Sequence, residues 1–227
     1  MTLSSRAEDT WLVIPLFNEA SVIEGVVSGA RATFPHIVCV DDASTDDSAA
    51  RAEAAGAVVV RHPFNLGQGA ALQTGMRYVL EATDAAYLVT FDADGQHRVE
   101  DAAAMVDRAR TEDLGIVFGS RFLDDRTRPG LIKKIVLKAA VWITNQQTGL
   151  RLTDAHNGLR VLRRDAAESL HLHQNRMAHA TEIVLQLSRS KLSWAEHPVH
   201  IIYTDYSRSK GQSLMNSVNI LVDTLLK

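Results

Sequence analysis

Two carboxylates stand two residues apart in Asp92-Ala93-Asp94, directly after the apolar run Tyr87-Leu-Val-Thr-Phe91. Once a chain leaves the pleat of a strand, both side chains can turn to one side. Hard oxygen donors of this kind suit Mg2+ or Mn2+, and such cations commonly complete their shell with the phosphates of a substrate. Taken alone, the motif also reads as a solvated Asp-Gly turn at Asp94-Gly95. Gln96 and His97 follow at once and add two more potential ligands. A second acidic pair, Asp41-Asp42, has Ser44 and Asp46 close behind it, and Asn18-Glu19 forms a third polar cluster. A carboxylate at such a place can accept hydrogen bonds from a nucleobase or a ribose. It can also mark a helix start, with Ser44 or Thr45 as the cap, but two adjacent acids cannot both cap one helix.

Cations that suit phosphate oxygens recur further on. Arg121 stands in Gly119-Ser120-Arg121, and Arg208-Ser-Lys210-Gly211-Gln-Ser213 is a basic, glycine-containing loop. Arginine forks match phosphate oxygens and lysine adds a point charge, although either group can be a solvated cation. The glycines of Asn65-Leu-Gly-Gln-Gly69 do not make a dinucleotide fingerprint, because Leu72 stands where the third glycine belongs. They permit a tight strand-to-helix turn, with the helix N-terminus as a possible neighbour of a phosphate. The nine histidines include no H-E-x-x-H, and the single Cys39, with no base beside it, reads as core packing.

The elements that must position these residues alternate. Short apolar runs predict strands at Trp11–Leu16, Ile37–Val40, Ala57–Arg61, Ala86–Phe91 and Ile116–Gly119. Helical patterns lie between them at Ala20–Thr33, Asp46–Ala55, Gln68–Ala82 and Val99–Arg110. That alternation predicts βαβ units and a mainly parallel α/β sheet, with ligands beyond the carboxyl ends of its strands. The three polar clusters fall at three such ends and are expected to converge on one crevice. The second half is less regular, with a short strand at Leu159–Leu162, a helix at Met177–Ser190 and a strand at Trp194–Tyr203 that Pro198 moves towards an edge. A closing helix is expected at Leu214–Leu226. Leu131–Ile143 is amphipathic, with Lys133, Lys134 and Lys138 on one face at about 100° per residue. It can pack on the sheet, on another subunit, or in a membrane interface with Trp142 and the lysines.

The 227 residues fit a single domain, spanning 1–227, with no internal repeat or long linker. Lys and Arg number 24 against 27 Asp and Glu, a net charge of -3, which gives no footprint for nucleic acid. One cysteine rules out an internal disulfide framework and multi-cysteine metal sites. There is no stretch of 18 apolar residues, and Met1–Asp9 is polar with both charge signs, so the expected location is the cytoplasm.

Six motifs occur in order: Val13-Ile-Pro-Leu-Phe-Asn-Glu19, Val40-Asp-Asp-Ala-Ser-Thr-Asp46, Asn65-Leu-Gly-Gln-Gly-Ala-Ala71, Phe91-Asp-Ala-Asp-Gly-Gln-His97, Gly119-Ser-Arg121 and Asp154-Ala-His-Asn-Gly-Leu-Arg160. Together they resemble the family 2 glycosyltransferases of GT-A fold, of the dolichol-phosphate mannosyltransferase and polyprenyl-phosphate glycosyltransferase type, from about Leu12 to Ser213. The resemblance implies a donor half at 10–122 and an acceptor-side half at 123–227. It implies metal-dependent, inverting transfer of a sugar from a UDP- or GDP-sugar to a polyprenyl phosphate. A saccharide hydroxyl is the alternative acceptor, and a non-catalytic nucleotide-sugar-binding relative is the alternative of another class. By resemblance, Pro15, Phe17, Glu19, Asp41 and Asp42 line the base and ribose pocket. Asp92, Asp94 and Gln96 hold Mg2+ or Mn2+ on the donor diphosphate, with Ala93 between them. Arg121 faces the reacting phosphate, and Arg208 and Ser213 belong to a closing loop. Phe17 replaces the usual tyrosine, and Leu214 follows Ser213 where many relatives have lysine, which turns attention to Lys210. A phosphate acceptor, with a second pKa near 6, needs no general base. A hydroxyl acceptor needs one, and Asp154 is the candidate. With no membrane span, attachment is expected to be peripheral, at Leu131–Ile143.

Overall fold

In the computed structural model, residues 8–124, 131–175 and 178–202 are described, 131–137 by backbone alone. The expected closing helix, Arg208, Lys210 and Ser213 lie outside the described residues.

Seven strands form one sheet: β1 (Thr10–Leu16), β2 (His36–Asp41), β3 (Val58–Arg61), β4 (Tyr87–Thr90), β5 (Ile116–Ser120), β6 (Arg160–Arg163) and β7 (Trp194–Pro198). Their order is β3-β2-β1-β4-β6-β5-β7. Only β6 runs antiparallel, and it does so to both its neighbours, β4 and β5. The sheet is therefore mainly parallel, as the alternation of elements requires. β6 and β7 arise after residue 122 yet join the sheet whose other five strands precede it. β7 is an edge strand and ends at Pro198, five residues short of the expected Tyr203. Val199 N still donates to Ser120 O at 2.9 Å, which carries the ladder one step further.

Strands buried on both faces are apolar without interruption. Val38, Cys39 and Val40 are each 0% exposed. Side chains alternate between two layers. Leu12, Ile14 and Cys39 meet Ile23 and Val27 of helix α1 (Ile23–Arg31), Ala52 of α2 (Ser48–Ala54) and Met105 of α4 (Val99–Thr111). Val13, Val38 and Val40 meet Leu72 and Met76 of α3 (Gln68–Ala82), while Ala166 of α6 (Arg164–Glu168) and Ile183 of α7 (His179–Arg189) join the same layer. Burial pushes the Cys39 thiol up to about 12, in keeping with a packing role.

The cap expected at Ser44 or Thr45 is not formed. α2 begins at Ser48, and Asp46 Oδ1 accepts from Ser48 N at 3.0 Å while Ser44 serves another strand end. α5 (Leu131–Thr148) extends beyond the expected Ile143 and packs on α7, with Ala140, Val141 and Thr144 buried and Trp142 65% exposed. Asn145 closes its C-terminal turn, donating to Leu152 O at 2.8 Å and accepting from Leu152 N at 3.1 Å.

α3 lies unusually close to the sheet because Gly75 faces it. A Cβ at Gly75 would come within 2.5 Å of Val13 Cγ1 and 3.1 Å of Val40 Cγ2. Gly75→Ala should therefore destabilise by about 1–3 kcal/mol through overpacking, despite alanine's better helix propensity. Thermal denaturation checks it, with a Tm drop of about 2–4 °C per kcal/mol expected; an unchanged or raised Tm contradicts the packing argument.

Candidate active site

The crevice is built where β1, β2 and β4 end and β6 begins. Side chains on one strand end hold the backbone of the next. Asn18 N donates to Ser44 Oγ at 2.9 Å and Glu19 N to Ser48 Oγ at 2.7 Å. Asn18 Oδ1 accepts from Thr45 N at 2.9 Å, and Asp42 N donates to Leu16 O at 2.8 Å. Asn18 and Ala43 both adopt positive φ, 53° and 61°. Such backbone is costly for a residue with a Cβ, less so for asparagine, and persists where its surroundings over-determine it.

The two acids after β2 have different jobs. Asp42 is 3% exposed. Its Oδ1 accepts from Leu66 N and Oδ2 from Gly67 N, at 2.8 and 2.7 Å, and Oδ1 also meets His62 Nδ1 at 2.8 Å. His62 Nε2 reaches Thr74 Oγ1 at 2.9 Å. These bonds engage both oxygens of Asp42 in shaping the turn into α3. Asp41 Oδ1 accepts from Ser44 N at 3.2 Å, while Oδ2 makes no hydrogen bond among the described residues. Asp41 is thus the member of the pair with a carboxylate oxygen to offer. Phe17, 44% exposed, presents an aromatic face beyond β1.

The turn that Asp42 holds leads straight to the second acidic pair. Gly67, at φ 101°, precedes α3, and Gln68 Nε2 donates to Asp92 Oδ1 at 3.3 Å. Asp92 Oδ2 meets His97 Nε2 at 2.9 Å. His97 thereby orients a carboxylate and does not stand beside it as a ligand. Asp94 accepts from Gln96 N and Gln96 Nε2 at 3.0 and 2.8 Å. Burial would raise the Asp92 carboxyl, but the His97 hydrogen bond and the charges of His97, Arg160 and His179 hold it below the usual range. Asp94 is pushed up to about 6, by burial and by repulsion from Asp92, with Glu19 adding to it.

The pair fits a divalent cation. Its repulsion is what a shared 2+ charge relieves, and its donors are hard oxygens. Among the described residues no three His, Cys, Asp or Glu side chains gather as a metal cage. Two carboxylates, with Gln96 beside them and phosphate oxygens to complete the shell, match that donor set.

On the far side, β6 brings the Asp154–Arg160 segment against Asp92. Thr90 Oγ1 donates to Gly158 O at 2.6 Å, and a Cβ on Gly158 would lie 2.3 Å from Asp92 Oδ2. Only glycine allows this approach. Asp154, 1% exposed, is bound by a fork from Arg121: Nε to Oδ2 at 2.6 Å and Nη2 to Oδ1 at 2.8 Å, with Arg121 N donating to Oδ2 at 3.1 Å. Burial opposes this, yet the Arg121 charge and hydrogen bonds hold the Asp154 carboxyl below its ordinary value. So engaged, Asp154 is a poor general base, contrary to the hydroxyl-acceptor expectation. Arg121, expected to face the reacting phosphate, spends its fork on Asp154 and lies 5.7 Å from the Phe122 ring centroid.

The structure thus brings Glu19, Asp41, Asp92, Asp94 and Gln96 to one rim, with Pro15 and Ala93 in the backbone that carries them. Sequence reasoning gave no role to Gln68, His62 or Arg160. A signal for Arg160 was present, an arginine inside an apolar run at a strand start.

The sequence matches the model described as glycosyl transferase family 2 over residues 11–170. It is 31% identical over 225 residues to an uncharacterised protein of Methanocaldococcus jannaschii, covering 97% of this chain and 92% of that one. It is 28% identical over 238 residues to the UDP-N-acetylglucosamine–dolichyl-phosphate N-acetylglucosaminyltransferase of Methanococcus voltae, covering 95% and 94%. It is 28% identical over 222 residues to the polyprenol monophosphomannose synthase of Mycolicibacterium smegmatis, covering 93% and 82%. Among solved structures, glucosyl-3-phosphoglycerate synthase of Mycobacterium tuberculosis superposes with a TM-score of 0.72 at 19% identity, covering 100% of this chain and 84% of that one. The same enzyme in complex with Mn2+, UDP and glucosyl-3-phosphoglycerate gives 0.68 at 18% identity, covering 98% and 82%. The mixed sheet is the GT-A fold, and a family match across most of the chain, on a fold of that kind, makes the protein a glycosyltransferase of family 2.

Proposed function

We propose that the protein transfers a sugar, with inversion, from a nucleoside diphosphate-sugar to a polyprenyl phosphate. The observation that supports this reading is the link between the two acidic strand ends: Asp42, next to Asp41, holds Gly67, and the following Gln68 holds Asp92 beside Asp94. The Phe17 face stacks the donor base against Pro15, and Asp41 Oδ2 accepts from a base N–H or a ribose hydroxyl. Asp92, Asp94 and Gln96 would hold Mg2+ or Mn2+ on the diphosphate. Bound there, the cation neutralises the charge that grows on the leaving group. The names of the Methanococcus and Mycolicibacterium relatives favour a lipid phosphate acceptor.

The geometry around Asp154 favours the same acceptor. A phosphomonoester is largely ionised at neutral pH and attacks without a base. A hydroxyl would need one, and the Arg121 fork occupies the carboxylate that stood for it. No helix among the described residues is long and apolar enough to cross a membrane. For contact with a membrane that holds a lipid acceptor, α5 with its exposed Trp142 is the candidate face.

The test is sugar transfer from UDP- and GDP-sugars to undecaprenyl phosphate, with saccharides as rival acceptors. Transfer to saccharides alone overturns the acceptor. Chelation should abolish transfer and Mg2+ or Mn2+ restore it. Asp92→Asn and Asp94→Asn should each lower kcat on the order of 100-fold or more with the fold intact; near-normal kcat in both removes the metal pair from the reaction.

Asp154→Asn should act chiefly on stability. It removes the negative charge that the largely buried Arg121 fork meets, at a cost of about 3–5 kcal/mol. The Asp154 carboxyl is held below its unfolded value, so its contribution is full above about pH 4 and is lost as pH falls through the folded value. Denaturation of both proteins from pH 7 downward checks this, and the gap between them should narrow in acid.

A further inference from the structure

Arg160 is a buried cation without a matching anion. It is 2% exposed at the start of β6, yet its one hydrogen bond among the described residues is Nη2 to Ala155 O at a long 3.5 Å. It feels the charges of Asp92 and Asp154 but is bonded to neither. Asp92 is bonded to Gln68 and His97, and Asp154 to Arg121. A guanidinium removed from water and bonded to no carboxylate is expensive unless something else completes its fork.

Two further groups on the same segment lack partners. Asn157 is 4% exposed; its Oδ1 accepts from Leu159 N at 2.9 Å, which fixes the amide so that Nδ2 is the free donor. Nδ2 is shielded from solvent and makes no hydrogen bond. His156 Nδ1 is in the same state. Burial pushes His156 down to about 4, so its ring is neutral at pH 7. Nε2 meets Thr181 Oγ1 at 3.4 Å, and in the tautomer that lets Nε2 accept from this hydroxyl the proton sits on Nδ1. One segment thus offers a fork with a single long hydrogen bond, an unmet amide N–H and an unmet imidazole nitrogen, and Gly158, beside them in the chain, touches Asp92.

We infer that Arg160, Asn157 and His156 form a phosphoryl-oxygen subsite beside Asp92. This rests on the reading of the crevice as a transferase site and adds residues to it. Three donors and no acceptor select an oxyanion over a hydroxyl or a sugar face. The phosphoryl group belongs either to the donor diphosphate or to the phosphate of the acceptor, and binding measurements distinguish the two.

Asn157→Asp keeps an oxygen for Leu159 N while replacing the donor by a negative charge. Arg160→Lys keeps the charge and removes the fork. Asn157→Ser, which also retains an oxygen, serves if Asn157→Asp does not fold. Calorimetric titrations with UDP and GDP in the presence of Mn2+, and separately with geranyl phosphate against geraniol, read the effect. Loss of a charge-assisted hydrogen bond should raise the Kd of a phosphoryl probe about 10-fold or more, with geraniol unaffected. A rise confined to the nucleotides assigns the group to the donor, and a rise confined to geranyl phosphate assigns it to the acceptor. Unchanged Kd values for every probe in folded variants overturn the subsite. Wild-type sugar transfer measured in parallel separates the two claims: transfer with unaltered variant binding sinks the subsite alone, whereas binding defects without any wild-type transfer sink the transferase reading alone.

Discussion

The contact between the Gly158 backbone and the Asp92 carboxylate sets the spacing of the crevice. A single added Cβ would sit 2.3 Å from a carboxylate oxygen. That closeness is held from below by Thr90, whose hydroxyl donates to Gly158 O. It exists because β6 runs against its neighbours, so its start, and not its end, arrives at the carboxyl ends of the parallel strands. Everything charged on the far rim inherits its position from this approach. Asp154, His156, Asn157 and Arg160 all lie within four residues of Gly158 in the chain.

Burial makes charge the organising problem of the site. Each carboxylate here is answered in its own way: Asp42 by backbone N–H groups and His62, Asp92 by Gln68 and His97, Asp154 by the Arg121 fork. Fully engaged groups give rigidity. Groups whose charge is left unbalanced, Asp94 repelled by Asp92 and Arg160 with one long hydrogen bond, are where a ligand's own charges enter.

The first half of the sheet was legible because its information is local. α3 begins and ends where the periodicity of Gln68–Ala82 places it, and the acidic pairs follow apolar runs that become β2 and β4. The less legible features depend on partners distant in sequence. Nothing near Asp42 announces that Leu66 and Gly67 will take its oxygens, and nothing near Asp154 announces Arg121, 33 residues away. Ser44 looks like a cap by its neighbours, but its hydroxyl is taken by Asn18 N across the sheet. The insertion of β6 between β4 and β5 is likewise invisible to any count of alternating elements. Local pattern specifies elements; the charged side chains find their partners only after those elements have packed.

The path of the chain between β5 and β6 has one further consequence. It leaves the sheet at Ser120 and returns at Arg160, with α5 carried on the way, and rejoins the strand beside the one it left. The excursion is a cassette held at both ends by the sheet. It can be lengthened, shortened or resurfaced while Asp41, Asp92 and Asp94 stay on strand ends that the cassette does not build. The strand ends that carry Asp41, Asp92 and Asp94 can therefore stay fixed while the surface across the crevice changes.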